Sequence, residues 1–177
     1  MATYKISKYS VGPSEEFFFD TCVWLYIFAP LAGARKDKQI IYSKLYGEVL
    51  SRGATIWINS QVVAEYINRY LRLEFDQWKK VTGNPWADFK KDFRPTSEYQ
   101  IALQSVKSQI TAILQKSERI PDDFHSINIS AIINSMGTSC DYGDAIIINL
   151  CNYKKFKLVT DDSDMTKSNY SFSVLTA

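Results

Sequence analysis

The chain has 177 residues, 46% of them hydrophobic and 23% charged, and its 21 Lys and Arg against 19 Asp and Glu leave a net charge of +2. These values indicate one globular domain and exclude a disordered or collagen-like chain, while the small net charge neither requires nor excludes a nucleic-acid partner. Three cysteines without a CxxC pair and a single histidine argue against a disulfide framework, a cysteine-based zinc site and a Ser–His triad.

Short apolar runs alternate with helical patterns along the chain. Phe17–Phe19 is apolar at every position, which is typical of a strand buried on both faces of a parallel sheet. Elsewhere apolar side chains recur every three or four positions, the spacing of an amphipathic helix. Residues 83–96 are charged and contain two prolines, which predicts a surface loop. In chain order we predict a strand at 16–19, a helix or loop at 21–28, a helix at 36–51, a strand at 55–58, a helix from 61 towards 80 capped by Ser60, helices at 97–116, 124–136 and 142–153, and strands at 156–160 and 171–175.

The alternation of strands and helices predicts the α/β class. We expect a three-layer α/β/α domain with a central, mainly parallel sheet of about four or five strands. Residues 1–177 form a single domain in this interpretation, because the length suits one domain and no repeat or low-complexity tract divides the chain.

Neither the N-terminus nor the apolar segments point to a membrane. Residues 1–8 lack a basic segment followed by an apolar stretch, so we expect no signal peptide. The most apolar segment, 17–34, contains Asp20, and a carboxylate is costly inside a membrane helix. We therefore expect a soluble, cytoplasmic protein with no membrane contact.

Acidic residues follow the predicted strands and open the neighbouring helices. In parallel α/β sheets, ligands bind outside the carboxyl ends of the strands. Because four separate segments carry these acids, we expect them to meet at one edge of the sheet. They are Asp20 after the first strand, Glu65 one turn into the helix after the second, Asp141 and Asp144 at the start of the last helix, and Asp161, Asp162 and Asp164 after the strand at 156–160.

Carboxylates that crowd together repel one another unless a cation neutralises them. Since the chain has so few His and Cys residues, the ligands of such a cation would be oxygen atoms, which favours Mg²⁺ or Mn²⁺. Mg²⁺ usually combines a few carboxylates with water and substrate phosphate. The pattern is therefore typical of metal-assisted hydrolysis of a phosphodiester bond.

Structural roles compete with metal binding at several of these positions. Asp141 and Asp144 have the spacing of a helix N-cap and its partner three residues on, so capping explains Asp141 as well as metal binding does. The cluster from Asp161 to Asp164 also suits a polar turn after a strand. Asp20, at the end of an apolar strand, is the hardest to explain without a ligand, because buried carboxylates need a partner.

Four motifs, taken together and in this order, resemble those of the PIN domain family. The first is an apolar strand followed by Asp-Thr, and the second is a Ser or Thr before a helix that carries an acid. The third is an Asp that opens an apolar helix, and the fourth is a strand followed by Thr-x-Asp-x-Asp. In this chain they read FFFDT at 17–21, SQVVAE at 60–65, DYGDAIII at 141–148 and LVTDDSD at 158–164.

The resemblance implies a Mg²⁺- or Mn²⁺-dependent endoribonuclease, commonly the toxin of a bacterial toxin–antitoxin pair. It implies RNA as substrate and an antitoxin as protein partner, and PIN domains often form homodimers. Around 74–120 the chain is longer than is usual in the family, which indicates a helical or loop elaboration of the single domain. By motif match, the catalytic and metal-site acids would be Asp20, Glu65, Asp144 and Asp162, with Asp161 interchangeable with Asp162, Asp164 a further metal ligand, and Thr21, Asp141 and Thr160 auxiliary residues.

Two other functions also place an Asp after a strand. A non-catalytic PIN-like binding or regulatory module would keep the fold and hold metal weakly, and it would show no cleavage of RNA with Mn²⁺. A phosphoryl-transfer domain, either a response-regulator receiver or a phosphatase of the haloacid dehalogenase type, is the second alternative. The phosphatases of the haloacid dehalogenase type need Asp-x-Asp at the first strand, where this chain has Asp20-Thr21-Cys22.

Overall fold

The computed structural model describes residues 2–29, 35–138, 140–166 and 170–177. Within these residues six strands form one sheet, and every neighbouring pair runs parallel. The strands are β1 (Thr3–Lys5), β2 (Glu16–Phe19), β3 (Thr55–Ile58), β4 (Glu118–Arg119), β5 (Lys157–Val159) and β6 (Val174–Thr176), and their order across the sheet is β1-β6-β5-β2-β3-β4.

The predicted α/β class and parallel sheet are confirmed, although the sheet has more strands than expected. The two strands that the sequence patterns missed, β1 and β4, are only three and two residues long and are exposed throughout. Both are edge strands of the sheet. Short exposed edge strands carry no apolar run, so the hydrophobic pattern could not reveal them.

Helices cover the sheet. Most of their predicted bounds are confirmed to within a few residues, and α2 begins and ends at the predicted residues. No helix within the described residues combines the length and apolar character needed to cross a bilayer. The helices are α1 (Thr21–Phe28), α2 (Lys36–Ser51), α3 (Ser60–Thr82), α4 (Ser97–Leu114), α5 (Ile129–Ser135) and α6 (Tyr142–Lys154).

The central strand β2 lies at the middle of the hydrophobic core. Phe17, Phe18 and Phe19 are each 0% exposed, although successive side chains of a strand point to opposite faces. Both faces of the sheet are therefore covered, as the uninterrupted apolar run predicted. β5 and β3 flank β2 on either side, so the residues that follow these three strands come out at the same edge of the sheet.

Two predictions about local structure were wrong. Ser60 does not cap α3: the side-chain Oδ1 of Asn59 accepts the N–H of Val62 at 3.1 Å, whereas the Ser60 hydroxyl donates to Asp122. The predicted helix at 124–136 is shorter and begins at Ile129. Its cap is the Asn128 side chain, which accepts the N–H of Ala131 at 3.0 Å.

The segment 83–96 is more ordered than the surface loop that the sequence predicts. One turn of π-helix spans Phe89–Phe93, and Asp88 caps it by accepting two backbone N–H groups. The Phe93 ring is buried against Phe75 of α3 and Tyr99 of α4. Aromatic packing thus gives a regular structure to the connection between the two long helices. The charged side chains around Phe93 are exposed.

The cap of α3 can be tested by substitution. Asn59→Ala should lower the free energy of unfolding by about 1 kcal/mol, because the N–H of Val62 loses its acceptor. Ser60→Ala removes an exposed hydrogen bond to Asp122 and should cost about 0.5 kcal/mol or less. Urea denaturation of the two variants measures the difference, and a larger loss for Ser60→Ala would show that the cap is Ser60.

Candidate active site

A cavity of about 1150 Å³ opens at the carboxyl edge of the sheet, where β2, β3 and β5 end. Acidic residues line it from separate parts of the chain, and among the lining residues Arg69 carries the basic side chain. Most of the predicted site residues meet here, while Thr21, Thr160 and Asp164 are not part of the described lining. The acids that line the cavity are Asp20, Glu65, Asp122, Asp141, Asp144, Asp161 and Asp162.

Asp20 is the deepest of these acids, at 9% exposed. Its Oδ2 accepts a hydrogen bond from the Thr160 hydroxyl at 2.8 Å and another from the Cys22 thiol at 3.1 Å. Burial raises the pKa of Asp20 more than these two donors lower it, and the nearby charge of Glu65 adds to the rise. The carboxyl group is thus held in one orientation, in a place where its negative charge is disfavoured.

Thr160 joins the ends of β2 and β5. Its buried hydroxyl donates to Asp20 and accepts the backbone N–H of Asp162 at 3.0 Å. The Asp162 side chain in turn accepts the N–H of Asp164 at 2.8 Å, which shapes the turn after the strand. The polar turn predicted after the strand therefore also positions Asp162, one of the predicted site acids. Asp164 contributes to this turn through its backbone N–H.

Glu65 comes to the cavity from α3. Its Oε2 accepts the hydroxyl of Thr21 at 2.9 Å, and its Oε1 pairs with Arg69 one helical turn further on, at 3.1 Å. Thr21 follows Asp20 directly, so one segment positions two of the acids. The i to i+4 spacing of Glu65 and Arg69 was a signal in the sequence that our prediction did not use.

Asp141 and Asp144 form a reciprocal cap at the start of α6. The Asp144 N–H donates to Asp141 Oδ1 at 2.9 Å, and the Asp141 N–H donates to Asp144 Oδ2 at 3.2 Å. The contacts of Asp141 are therefore those of a helix N-cap, which was the alternative to metal binding for this residue. Burial raises the pKa of Asp144 to about 6, and the charges of Asp141, Asp162 and Asp20 contribute to the rise.

Asp161 differs from its neighbours because its charge is already balanced. Lys38 of α2 lies 2.6 Å from Oδ1, and the hydroxyls of Tyr26 and Tyr42 donate to the carboxylate at 3.0 and 3.1 Å. Burial alone would raise the pKa of Asp161, but these donors outweigh it and the pKa is lowered. Of the two residues that the sequence left interchangeable, Asp161 is tied to α2 and Asp162 has no such cation among its described contacts.

The acids surround a shared space and do not touch one another as a closed ligand cage. Among the described residues, no three His, Cys, Asp or Glu side chains are grouped so that they could hold a metal ion between them. Asp20 and Asp162 are nevertheless close enough to Asp144 for their charges to raise its pKa. The cavity therefore offers oxygen ligands on several walls, with room for water and substrate between them.

Comparisons with known proteins agree with the observed fold. The PIN domain family model matches residues 17–168, which is most of the chain. The crystal structure of VapBC2 from Rickettsia felis, bound to a DNA fragment from their promoter, is similar in fold with a TM-score of 0.50. It is 14% identical in sequence, over 90% of this chain and 96% of that chain, so the likeness concerns the fold alone. No curated protein matches the sequence.

The raised pKa of Asp144 predicts that ionisation of this cavity residue lowers the free energy of unfolding, by an amount that depends on pH. An aspartic acid ordinarily has a pKa of 3.8, and that of Asp144 is about 6 in the folded protein, so ionisation destabilises the fold as the pH rises through this range. In EDTA at about pH 8, Asp144→Asn should raise the free energy of unfolding by about 1 kcal/mol, a value reduced for solvent screening. Near pH 4 the gain should vanish.

Urea titrations at the two pH values measure this effect. Asp37→Asn, which changes an exposed acid of α2, is the matched control and should alter the free energy of unfolding by less than about 0.5 kcal/mol at either pH. A loss of stability in Asp144→Asn at the higher pH would contradict the prediction and would assign the carboxylate a purely capping role.

The pairing of Lys38 with Asp161 predicts the opposite pH dependence. Lys38→Met should lower the free energy of unfolding by about 2 kcal/mol near pH 7, because it leaves a half-buried carboxylate without its cation. Since the pKa of Asp161 is lowered in the folded protein, the contribution is present above about pH 4 and is lost as the pH falls further. Lys36→Met, at an exposed position of the same helix, is the control, and equal losses for Lys38→Met at pH ~7 and pH ~3 would refute the prediction.

Proposed function

The chain belongs to the PIN domain family, and from that premise we propose that it is a divalent-metal-dependent endoribonuclease and the toxin of a toxin–antitoxin pair. One observation carries the proposal: the predicted acids, from four separate segments, line a single cavity at the carboxyl edge of a parallel sheet. The catalytic acids in this proposal are Asp20, Glu65, Asp144 and Asp162.

The residues of the cavity fit a hard divalent cation. Its ligating groups are carboxylate oxygens, which Mg²⁺ and Mn²⁺ prefer. Asp20 and Asp144 have no cation among their described contacts, and burial raises their pKa values, so a bound cation would stabilise their charged forms. Because no closed set of three acids is present among the described residues, water would complete the coordination, as is usual for Mg²⁺.

When bound, the metal supplies activation of water and stabilisation of the leaving oxygen of the phosphodiester. The protein supplies the orientation of the carboxylates. Thr160 and Cys22 hold Asp20, Thr21 holds Glu65, and the backbone N–H of Asp141 holds Asp144. This support makes it unnecessary for the acids to reorganise when the cation and the RNA arrive.

Arg69 provides a positive group at the cavity. Only one of its N–H groups is given to Glu65 in the described contacts, and its side chain is 54% exposed. A guanidinium has five N–H donors in a planar fork, so donors remain for a phosphate of the substrate. We assign Arg69 the role of binding the RNA backbone next to the acids.

The remaining parts of the proposal concern organisation and partners. The whole chain, 1–177, acts as one cytoplasmic domain, with the α3–α4 extension around 74–120 as its elaboration. The similar structure from Rickettsia felis is itself a VapBC complex, which supports an antitoxin partner for this chain. A homodimer is also part of the proposal, whereas membrane contact is not.

Cleavage of a structured RNA in Mn²⁺, with EDTA as the negative control, tests the proposed activity. Asp20→Asn and Asp144→Asn should each reduce the cleavage rate by about 100-fold or more, because each removes charge from the cation site. Asp37→Asn makes the same type of substitution at an exposed acid that does not line the cavity, and it should retain the wild-type rate.

The outcomes separate the enzyme from its alternative. Full activity in Asp20→Asn, confirmed as folded by circular dichroism, would remove the acid cavity from the mechanism. Wild-type protein that is folded and binds Mn²⁺ only weakly, and that cleaves no RNA, would identify a non-catalytic binding module.

A further inference from the structure

A second cavity, of about 470 Å³, adjoins the acid cavity. Asp122, Ile127 and Ile146 line both, so the two spaces share a wall. The volume lies within the range of small-molecule sites in proteins. Its other lining residues include three asparagines, which are absent from the motifs and serve no part of the proposed metal chemistry: they are Asn59, Asn128 and Asn149.

Two buried polar atoms of this second cavity lack partners. Asn59 is 3% exposed, and because its Oδ1 caps α3, the orientation of its amide is set and the Nδ2 donor is left over. The Oδ2 of Asp122 accepts the Ser60 hydroxyl, which leaves Oδ1 unused. Within the described residues neither Asn59 Nδ2 nor Asp122 Oδ1 has a hydrogen-bond partner. Such atoms are costly to bury, so a donor and an acceptor are available here for a ligand.

The lining of the cavity also includes an exposed aromatic ring and a cation. Tyr153 is 74% exposed, and Lys154 Nζ lies 5.0 Å from the centroid of its ring. Asn149 stands four residues before Tyr153 on α6, so both lie on the same face of the helix. Amide groups, an exposed aromatic ring and a lysine beside it are the groups that bind an unpaired nucleotide.

We propose that the second cavity binds a nucleobase of the RNA strand whose phosphate backbone crosses the acid cavity, an inference that rests on the proposed function. Every base presents both donors and acceptors on its edge, which match Asn59 and Asp122. The carboxylates of Asp122 and Asp123 repel a phosphate, so the base enters and the phosphate stays near Lys154. The cavity thereby selects the nucleotide next to the cleaved bond.

A binding experiment tests base recognition without cleavage. The four nucleoside 5′-monophosphates are titrated, in EDTA, into ¹⁵N-labelled protein while the side-chain amide resonances of Asn59 and Asn149 are followed. At least one nucleotide should shift both resonances saturably, and the double variant Asn149→Ala/Tyr153→Ala should weaken that binding by about tenfold. Asn134→Ala/Tyr4→Ala, a matched pair of exposed residues elsewhere, should bind as the wild type does.

A cleavage experiment tests whether the base belongs to the substrate strand. With a randomised RNA pool in Mn²⁺, sequencing of the cut ends should show a preference of about tenfold or more for one base beside the cleaved bond. The double variant should lose most of this preference and still cut the pool, because the acid cavity is intact. The control pair should keep the preference.

Each result decides the inference. No shift with any nucleotide, or the same shifts with inorganic phosphate alone, would overturn it. Nucleotide binding together with an unchanged cleavage preference in the double variant would mean a free-nucleotide site and would also overturn it. If the wild type cuts no RNA, the proposed function fails, whereas nucleotide binding that the double variant loses would still support base recognition by this cavity.

Discussion

The hydroxyl of Thr160 connects the two strands on which the acid cavity is built. In the parallel pairing of β2 with β5, Phe19 lies opposite Val159, so Asp20 and Thr160 leave the sheet side by side. The hydrogen bond between them holds a buried carboxylate in place, and the same hydroxyl accepts the N–H of Asp162. Because a buried carboxylate is tolerated only with such partners, the position of Asp20 depends on this pairing of strands.

Charge balance divides the acids of the cavity into two groups. Asp161 and Glu65 each have a protein cation, Lys38 and Arg69 respectively, and Lys38 holds the Asp161 carboxylate to α2. Asp20 and Asp144 have no cation among their described contacts, and their pKa values are raised. The end of β2 and the start of α6 therefore carry carboxyl groups without a protein cation among the described contacts, and under the proposed function a divalent ion would balance their charge.

In our proposals, one of the two adjoining cavities serves catalysis and the other serves base recognition. The carboxyl ends of buried strands provide the acids, whereas the second cavity is formed by Asn59 before α3, the segment 121–128 and one face of α6. Asp122 belongs to both, and its link to Ser60 ties the segment to the start of α3. The sequence patterns predicted neither the cap at Asn59 nor the start of the helix after this segment, so they gave no sign of the second cavity.

The sequence by itself determined the α/β class, the order of most elements, and the acids that follow β2 and β5, because burial and helical period are local properties of the chain. It did not identify the edge strands β1 and β4, which are short and exposed. It also left Asp161 and Asp162 equivalent, since the partner of Asp161 is Lys38, 123 residues away. Only the tertiary structure shows that Asp161 is paired with a cation, because which cation reaches which carboxylate depends on how distant segments pack and not on the residues beside it.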